Sequence, residues 1–273
     1  MKKFSIITPC LNAEKYIEET IRSVIEQTSV LANKFELEYI ICDGKSTDKT
    51  IAIINSFESK HIKIISEQDS GLYAALTKGL RIVSGDIIAY LNAGDYYNKY
   101  AFDVVGEIFD KKKAHWLTGY SVTYNEQFHI VDCRLPYRYR KRFFNCGYYG
   151  TKLPFIQQES TFWSSSLNEL IDCNYLSTLK YAGDFYLWSQ FSKAQELKIV
   201  ESYLGGFRKH QGQISENLTA YYKEMQYLVV QPNLSDFVLY CLDKGLWYLP
   251  SKIKKTFNQN GIFRFNHELQ EWI

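Results

Sequence analysis

A chain of 273 residues has room for one large domain, or one domain with an appendage, but not for two full enzymatic domains. Its 46% hydrophobic and 16% aromatic content supplies a core and excludes disordered and fibrous classes. Thirty-two basic residues against 30 acidic ones leave a net charge of +2, which is no footprint of a nucleic-acid binder. Six scattered cysteines form no C-x-x-C pair, so neither a zinc site nor a disulfide framework is expected, and a reducing compartment fits best. The apolar run after Met1-Lys2-Lys3 is cut off by Pro9, too early for a signal peptide, and no uncharged apolar stretch reaches the roughly 18 residues of a membrane span.

In chain order, the first hundred residues alternate between two periods. Phe4 to Thr8 reads as a strand, after which Ile17, Ile21, Val24 and Ile25 recur at helical spacing. Leu37 to Cys42 reads as a second strand, and Ser46-Thr47-Asp48 supplies capping chemistry for a helix with Ile51, Ile54 and Phe57 facing inward. A third strand follows at Ile62 to Ile65, then a helix with Leu72, Leu76, Leu80 and Val83 on one face, then a strand at Ile87 to Leu91. Four strands alternating with three helices predict an α/β fold, a parallel sheet with helices on both faces.

Beyond about residue 115 the pattern loosens. Short β-like pieces are expected at His115 to Tyr124 and Phe128 to Cys133, an aromatic loop from Tyr137 to Phe155, and helices at Gly183 to Lys193 and Asn217 to Val229. After Pro232 the tail is apolar on one side and carries Lys252, Lys254 and Lys255. That tail and the basic, aromatic run Tyr137 to Arg142 fit a membrane-surface contact or a solvated face equally well.

In sheets of this kind ligands bind outside the carboxyl ends of the strands. The loops there are Pro9 to Asn12, Asp43 to Ser46, Glu67 to Ser70 and Asn92 to Asp95. Neither a G-x-G-x-x-G fingerprint nor a G-x-x-x-x-G-K-[ST] run is present, so dinucleotide-binding and P-loop readings fail. Carboxylates at strand ends can accept donors from a base or ribose, or hold a divalent cation against a diphosphate. Asp43 is placed for the first role and Asp95 for the second. Asp43-Gly44 also reads as a tight turn, and Asp48 as a helix cap.

Together, Phe4 to Asn12, Asp43 to Thr50, Ser66 to Ala75, and Gly85-Asp86 leading to Leu91-Asn92-Ala93-Gly94-Asp95 resemble glycosyltransferase family 2 in order and spacing. The resemblance implies the GT-A fold, a Rossmann-like, mostly parallel sheet flanked by helices, with a C-terminal helical and aromatic extension. It implies a transferase domain over 1–215, divided into a nucleotide-sugar half (1–110) and an acceptor half (111–215), and an extension over 216–273. The implied reaction is an inverting transfer from a nucleotide-diphosphate sugar, UDP being the family's commoner carrier, to a saccharide or lipid-linked saccharide in bacterial surface polysaccharide synthesis.

The resemblance also assigns residues. Asp43 would contact the nucleotide, with Pro9 and Asn12 framing the pocket and Asp69 and Lys78 beside it; Asn92, Ala93, Gly94 and Arg208 would complete the donor site. Asp184 in Gly183-Asp184-Phe185-Tyr186-Leu187-Trp188 would be the catalytic base, and Glu159 the runner-up. A divalent cation, Mn²⁺ or Mg²⁺, would fall on Asp95, with His210 of the Phe207 to Ser215 loop as a second ligand. The chain departs from the family's acidic D-x-D pattern at Asn92 and Gly94. Trp163, Tyr181 and Trp188 are candidates for stacking on sugar faces. The expected location is the cytoplasm, at the inner face of the membrane, with oligomeric state open. Two other readings stand: a catalytically inactive nucleotide-sugar-binding or scaffold relative, and a nucleotidyltransferase, which the first loop disfavours.

Overall fold

Phe4, Ile6 and Ile7 of the first strand are fully buried, as the centre of a sheet covered on both faces requires. The protein is represented by a computed structural model that describes the backbone of residues 1–273 and every side chain except that of Ile214. In chain order the elements are β1 (Lys3–Cys10), α1 (Ile17–Ile25), α2 (Thr28–Leu31), β2 (Glu36–Asp43), α3 (Thr50–Ser56), β3 (Ile62–Ser66), α4 (Leu72–Leu80), β4 (Ile87–Tyr90), β5 (Tyr96–Tyr97), α5 (Ala101–Lys111), β6 (Trp116–Thr118), β7 (Ser121–Tyr124), β8 (Ile130–Arg134), α6 (Lys141–Asn145), β9 (Thr161–Ser164), α7 (Cys173–Leu176), α8 (Gly183–Phe191), β10 (Lys198–Val200), β11 (Gly205–Arg208), α9 (Leu218–Met225), α10 (Leu234–Trp247), α11 (Ser251–Phe257), β12 (Ile262–Phe263), β13 (Phe265–Asn266) and β14 (Glu271–Trp272).

Eight strands form the main sheet in the order β12-β10-β6-β9-β4-β1-β2-β3. The alternation read in the first hundred residues holds: β3, β2, β1 and β4 run parallel. The second half breaks it, because β9 lies antiparallel to both β4 and β6. A smaller sheet, β5-β11-β7-β8, stands beside the carboxyl ends of the central strands. The segment beyond residue 215 shares the core: β12 closes one edge of the main sheet, and Tyr240, Trp247 and Ile262 belong to the central hydrophobic cluster.

The run expected as an aromatic loop contains α6, and all its rings but Phe155 are core. Tyr137, Tyr139, Phe143, Phe144, Tyr148 and Tyr149 are buried, packed against one another and against Trp247, while Lys141, Arg142, Lys152 and Phe155 are exposed. Trp163 and Trp188 are likewise buried, 6.1 Å apart between ring centroids, and are not open to stack on a sugar. Apolar burial outweighs the chance of a ligand for most rings because each removes a large area from water. No helix among the described residues is long and apolar enough to cross a membrane.

Candidate active site

The loops after β1 and β2 are stitched together. Gly44 donates its N–H to the Cys10 carbonyl (2.9 Å), Asn12 N–H to Ser46 Oγ (2.8 Å), and Thr47 N–H to Asn12 Oδ1 (2.9 Å). Asn12 holds a left-handed φ of 48° that its short polar side chain tolerates. Asp43, fully buried at the end of β2, accepts from Lys45 N–H (3.1 Å), Ser46 N–H (3.1 Å), the Ser46 hydroxyl and the Ser66 hydroxyl (2.7 Å). Its carboxylate therefore builds the turn, and a nucleotide would compete with four resident donors.

Asp69 accepts the Gly71 N–H (3.1 Å) and pairs with Lys78 at 3.4 Å. Lys78 also donates to the Glu67 carbonyl (2.8 Å), tying α4 to the loop after β3. Pro9 sits in β1 opposite Cys42, next to the Cys10 and Asp43 pair. Pro9, Asn12, Asp43, Asp69 and Lys78 are thus gathered at one sheet edge. Asp48 caps locally: it accepts Thr50 N–H (2.9 Å) and Thr50 Oγ1 (2.6 Å) just ahead of α3.

The loop after β4 turns through Gly94 at φ +114°, a conformation that favours glycine, with the Gly94 N–H donated to Thr20 Oγ1 (2.9 Å). Asn92 donates to Gln158 Oε1 (3.1 Å), while its Oδ1 is buried with no partner among the described residues. Asp95 is only 4% exposed, accepts the Arg208 N–H at 2.8 Å, and lies within hydrogen-bonding reach of Glu159. Burial pushes both carboxyls upward, and the neighbouring Glu159 raises Asp95 further.

Arg208 and His210 stand differently from their expected roles. The Arg208 guanidinium is buried, 2.5 Å from Glu19 Oε2 and 3.8 Å from the Phe128 ring centroid, with Tyr16 and Tyr96 completing an aromatic cage. A cation so enclosed braces β11 against α1 and does not face a diphosphate. His210 rests its ring on Tyr16 and places Nδ1 2.9 Å from the Gln211 carbonyl oxygen. Asp95 is engaged by Arg208 and Glu159, and among the described residues no three His, Cys, Asp or Glu groups gather to hold a metal. As arranged, Asp95 and His210 do not fit a cation held by the protein.

Asp184 has another environment. It lies in the first turn of α8, half-buried, and accepts its neighbour's Phe185 N–H at 2.7 Å. Tyr73 Oη of α4 approaches at 3.4 Å, and the Tyr221 hydroxyl of α9 is a second donor. Burial lifts its carboxyl to about 6, against the opposing pull of these three donors. Gly183 permits this packing: a Cβ there would lie 2.4 Å from the Tyr73 ring.

Tyr73, Tyr221 and Glu224 were not found by sequence reasoning. Glu224 of α9 accepts three successive backbone N–H groups, Lys180 (2.9 Å), Tyr181 (2.8 Å) and Ala182 (2.9 Å), directly ahead of α8. Tyr73 had a signal in its place within the Ser66 to Ala75 motif. Tyr221 and Glu224 had none, because their roles depend on α9 folding back onto α8.

The family model Glycosyl transferase family 2 matches residues 5–163. The chain is 34% identical over 122 residues to the putative teichuronic acid biosynthesis glycosyltransferase TuaG of Bacillus subtilis, covering 43% of this chain and 46% of that one. It is 26% identical over 250 residues to the Escherichia coli UDP-Glc:alpha-D-GlcNAc-diphosphoundecaprenol beta-1,3-glucosyltransferase WfgD, covering 83% and 92%. The chain spans less than half the length of the first curated relatives it matches. In fold it is similar to Staphylococcus aureus TarS 1-349 in complex with UDP-GlcNAc (TM-score 0.63, 18% identity, covering 95% and 74%). It is also similar to Mycobacterium tuberculosis glucosyl-3-phosphoglycerate synthase in complex with Mn²⁺, UDP and phosphoglyceric acid (TM-score 0.57, 17% identity, covering 85% and 80%). The parallel β3-β2-β1-β4 core, its strand-end motifs and a family match over more than half the chain lead to one conclusion: this protein belongs to glycosyl transferase family 2.

Proposed function

We propose that the chain is an inverting glycosyltransferase that moves a sugar from a nucleotide-diphosphate donor, a UDP-sugar, to a hydroxyl of a saccharide or lipid-linked saccharide during surface polysaccharide assembly. The observation that carries this reading is Asp184. It is a half-buried carboxylate at about 6, held by hydroxyl and N–H donors, and it joins the donor half through Tyr73 to the C-terminal extension through Tyr221. Such a group is ionised at neutral pH and still basic enough to take a proton. It would remove the acceptor hydroxyl proton as that oxygen bonds to the anomeric carbon, while the bond from that carbon to the diphosphate breaks and the nucleotide leaves with its electron pair.

Glu159 serves the reaction less well as a base, because it is buried beside Asp95, and burial pushes both carboxyls upward. We assign Pro9, Asn12, Asp43, Asp69 and Lys78 to the nucleoside side of the donor, and Asn92, Ala93, Gly94 and Asp95 to its sugar-phosphate side. A lipid-linked acceptor would place the enzyme at the cytoplasmic face of a membrane, a reading supported by the substrate named for WfgD. Calorimetric titration with UDP, GDP and CMP, each with and without Mn²⁺, tests the reading. UDP binding alone is expected, GDP binding alone would replace the carrier, and no binding in any condition would overturn the transferase assignment.

A further inference from the structure

On the far end of α8 from Asp184, a cleft of about 530 Å³ opens between α6, residues 192–198 and the turn at 258–261. Six cations line it: Arg138, Arg140, Lys141, Arg142, Lys193 and Lys198. Three are neutralised, Arg140 by Asp243, Arg142 by Asp236 and Lys198 by Glu196. The other three have no carboxylate within ion-pair distance among the described residues. Arg138 donates to Asn258 Oδ1 and the Phe257 carbonyl, Lys141 to the Lys193 carbonyl, and Lys193 to Gln190 Oε1. Uncompensated cations converging on one concavity form an anion site in search of its anion.

An apolar surface adjoins that cleft. Leu239 of α10 lines it. Val238 and Leu242, beside Leu239 on the same helix, are 51% and 64% exposed, and Leu234 is 78% exposed. Phe237 of the same helix and Tyr248 just after it are also exposed. An apolar helix face rimmed by unpaired cations has the charge and polarity of a segment lying in the headgroup layer of an anionic bilayer.

We propose that this face docks on an anionic membrane, with a lipid phosphate headgroup in the cleft against Arg138, Lys141 and Lys193 and the exposed α10 side chains among the upper acyl carbons. This deepens the membrane-face part of the proposed function and places the contact at the end of α8 opposite the base. UDP binding in solution, measured on the same samples, separates failure of this contact from failure of the transferase reading.

The test is co-sedimentation of the full chain with vesicles of phosphatidylcholine alone or mixed with phosphatidylglycerol, alongside calorimetry with inorganic phosphate. The variants are Lys141→Glu with Lys193→Glu, and Leu242→Asp, each checked for an unchanged melting temperature and UDP affinity. Should the charge reversals unfold the chain, Lys141→Gln with Lys193→Gln replaces them. Binding to phosphatidylglycerol vesicles that falls about five-fold per cation neutralised, and also falls with Leu242→Asp, supports the proposal. No binding to those vesicles overturns it, as does binding indifferent to the lysine pair. Phosphate binding without vesicle binding also overturns the lipid source, leaving a small-anion site.

Discussion

Two aspartates of the candidate site, the buried Asp43 and the half-buried Asp184, contrast sharply. Asp43 is fully buried yet surrounded by donors, two backbone N–H groups and two serine hydroxyls, all from its own turn and the neighbouring strand. Asp184 is less enclosed and meets its own N–H, that of Phe185 and two tyrosine hydroxyls from distant elements, and burial lifts it to about 6. The difference teaches that depth alone does not set a carboxylate's role. Donors from its own turn and the neighbouring strand make Asp43 a structural pin, whereas Asp184 draws its hydroxyl donors from α4 and α9 and keeps basicity to use.

The largest expected effect breaks the comparison on the Asp184 side. Asp184→Asn should lower turnover by roughly 10²- to 10⁴-fold with UDP affinity unchanged, read as nucleotide release in the presence of acceptor. A loss below tenfold would remove Asp184 from the role of base. On the other side, Asp43→Asn sets an amide N–H₂ against donors that now meet a carboxylate. It should cost about 2–3 kcal/mol in urea unfolding, and a change under about half a kcal/mol would mean the turn does not depend on the anion.

Glu224→Ala sharpens the comparison by loosening the backbone ahead of α8. Three N–H groups lose their shared acceptor, and a stability loss of about 1–3 kcal/mol is expected, with kcat falling more than KM rises. An equal fall in kcat for a destabilising substitution elsewhere in α9 would reduce Glu224 to general support of the fold.

The smallest effects are in pH. Activity should fall as pH drops through about 6, where Asp184 takes up a proton. Tyr221→Phe should move this acid limb upward by about half a unit, because it removes a donor that favours the carboxylate; an unmoved limb would place the titrating group elsewhere. Stability follows the opposite sign. A carboxyl raised on folding stabilises the protein below its ordinary value and loses that contribution as pH rises through about 6. Asp184→Asn should therefore be more stable than wild type above about pH 7, by about 1–2 kcal/mol.

The sequence by itself determined the alternating β1-to-β4 half of the sheet. Strand and helix periods located β1 to β4 to within a few residues, because the central strands bury both faces and each helix one stripe, and those patterns are local. The strand-end loops followed from topology, and Asp184 and Glu159 were reachable through motif resemblance. What those acids do was decided by tertiary structure: Asp95 and Glu159 are 64 residues apart in the chain yet share a pocket, and Arg208 is caged by rings from three distant segments. The aromatic run from Tyr137 was illegible for the same reason, since hydrophobic spacing shows that a ring wants burial but not which distant partner covers it. Glu224 and Tyr221 gave no local signal because protonation and positioning depend on desolvation and on donors supplied from other elements. Those quantities exist only once α9 has packed against the head of α8.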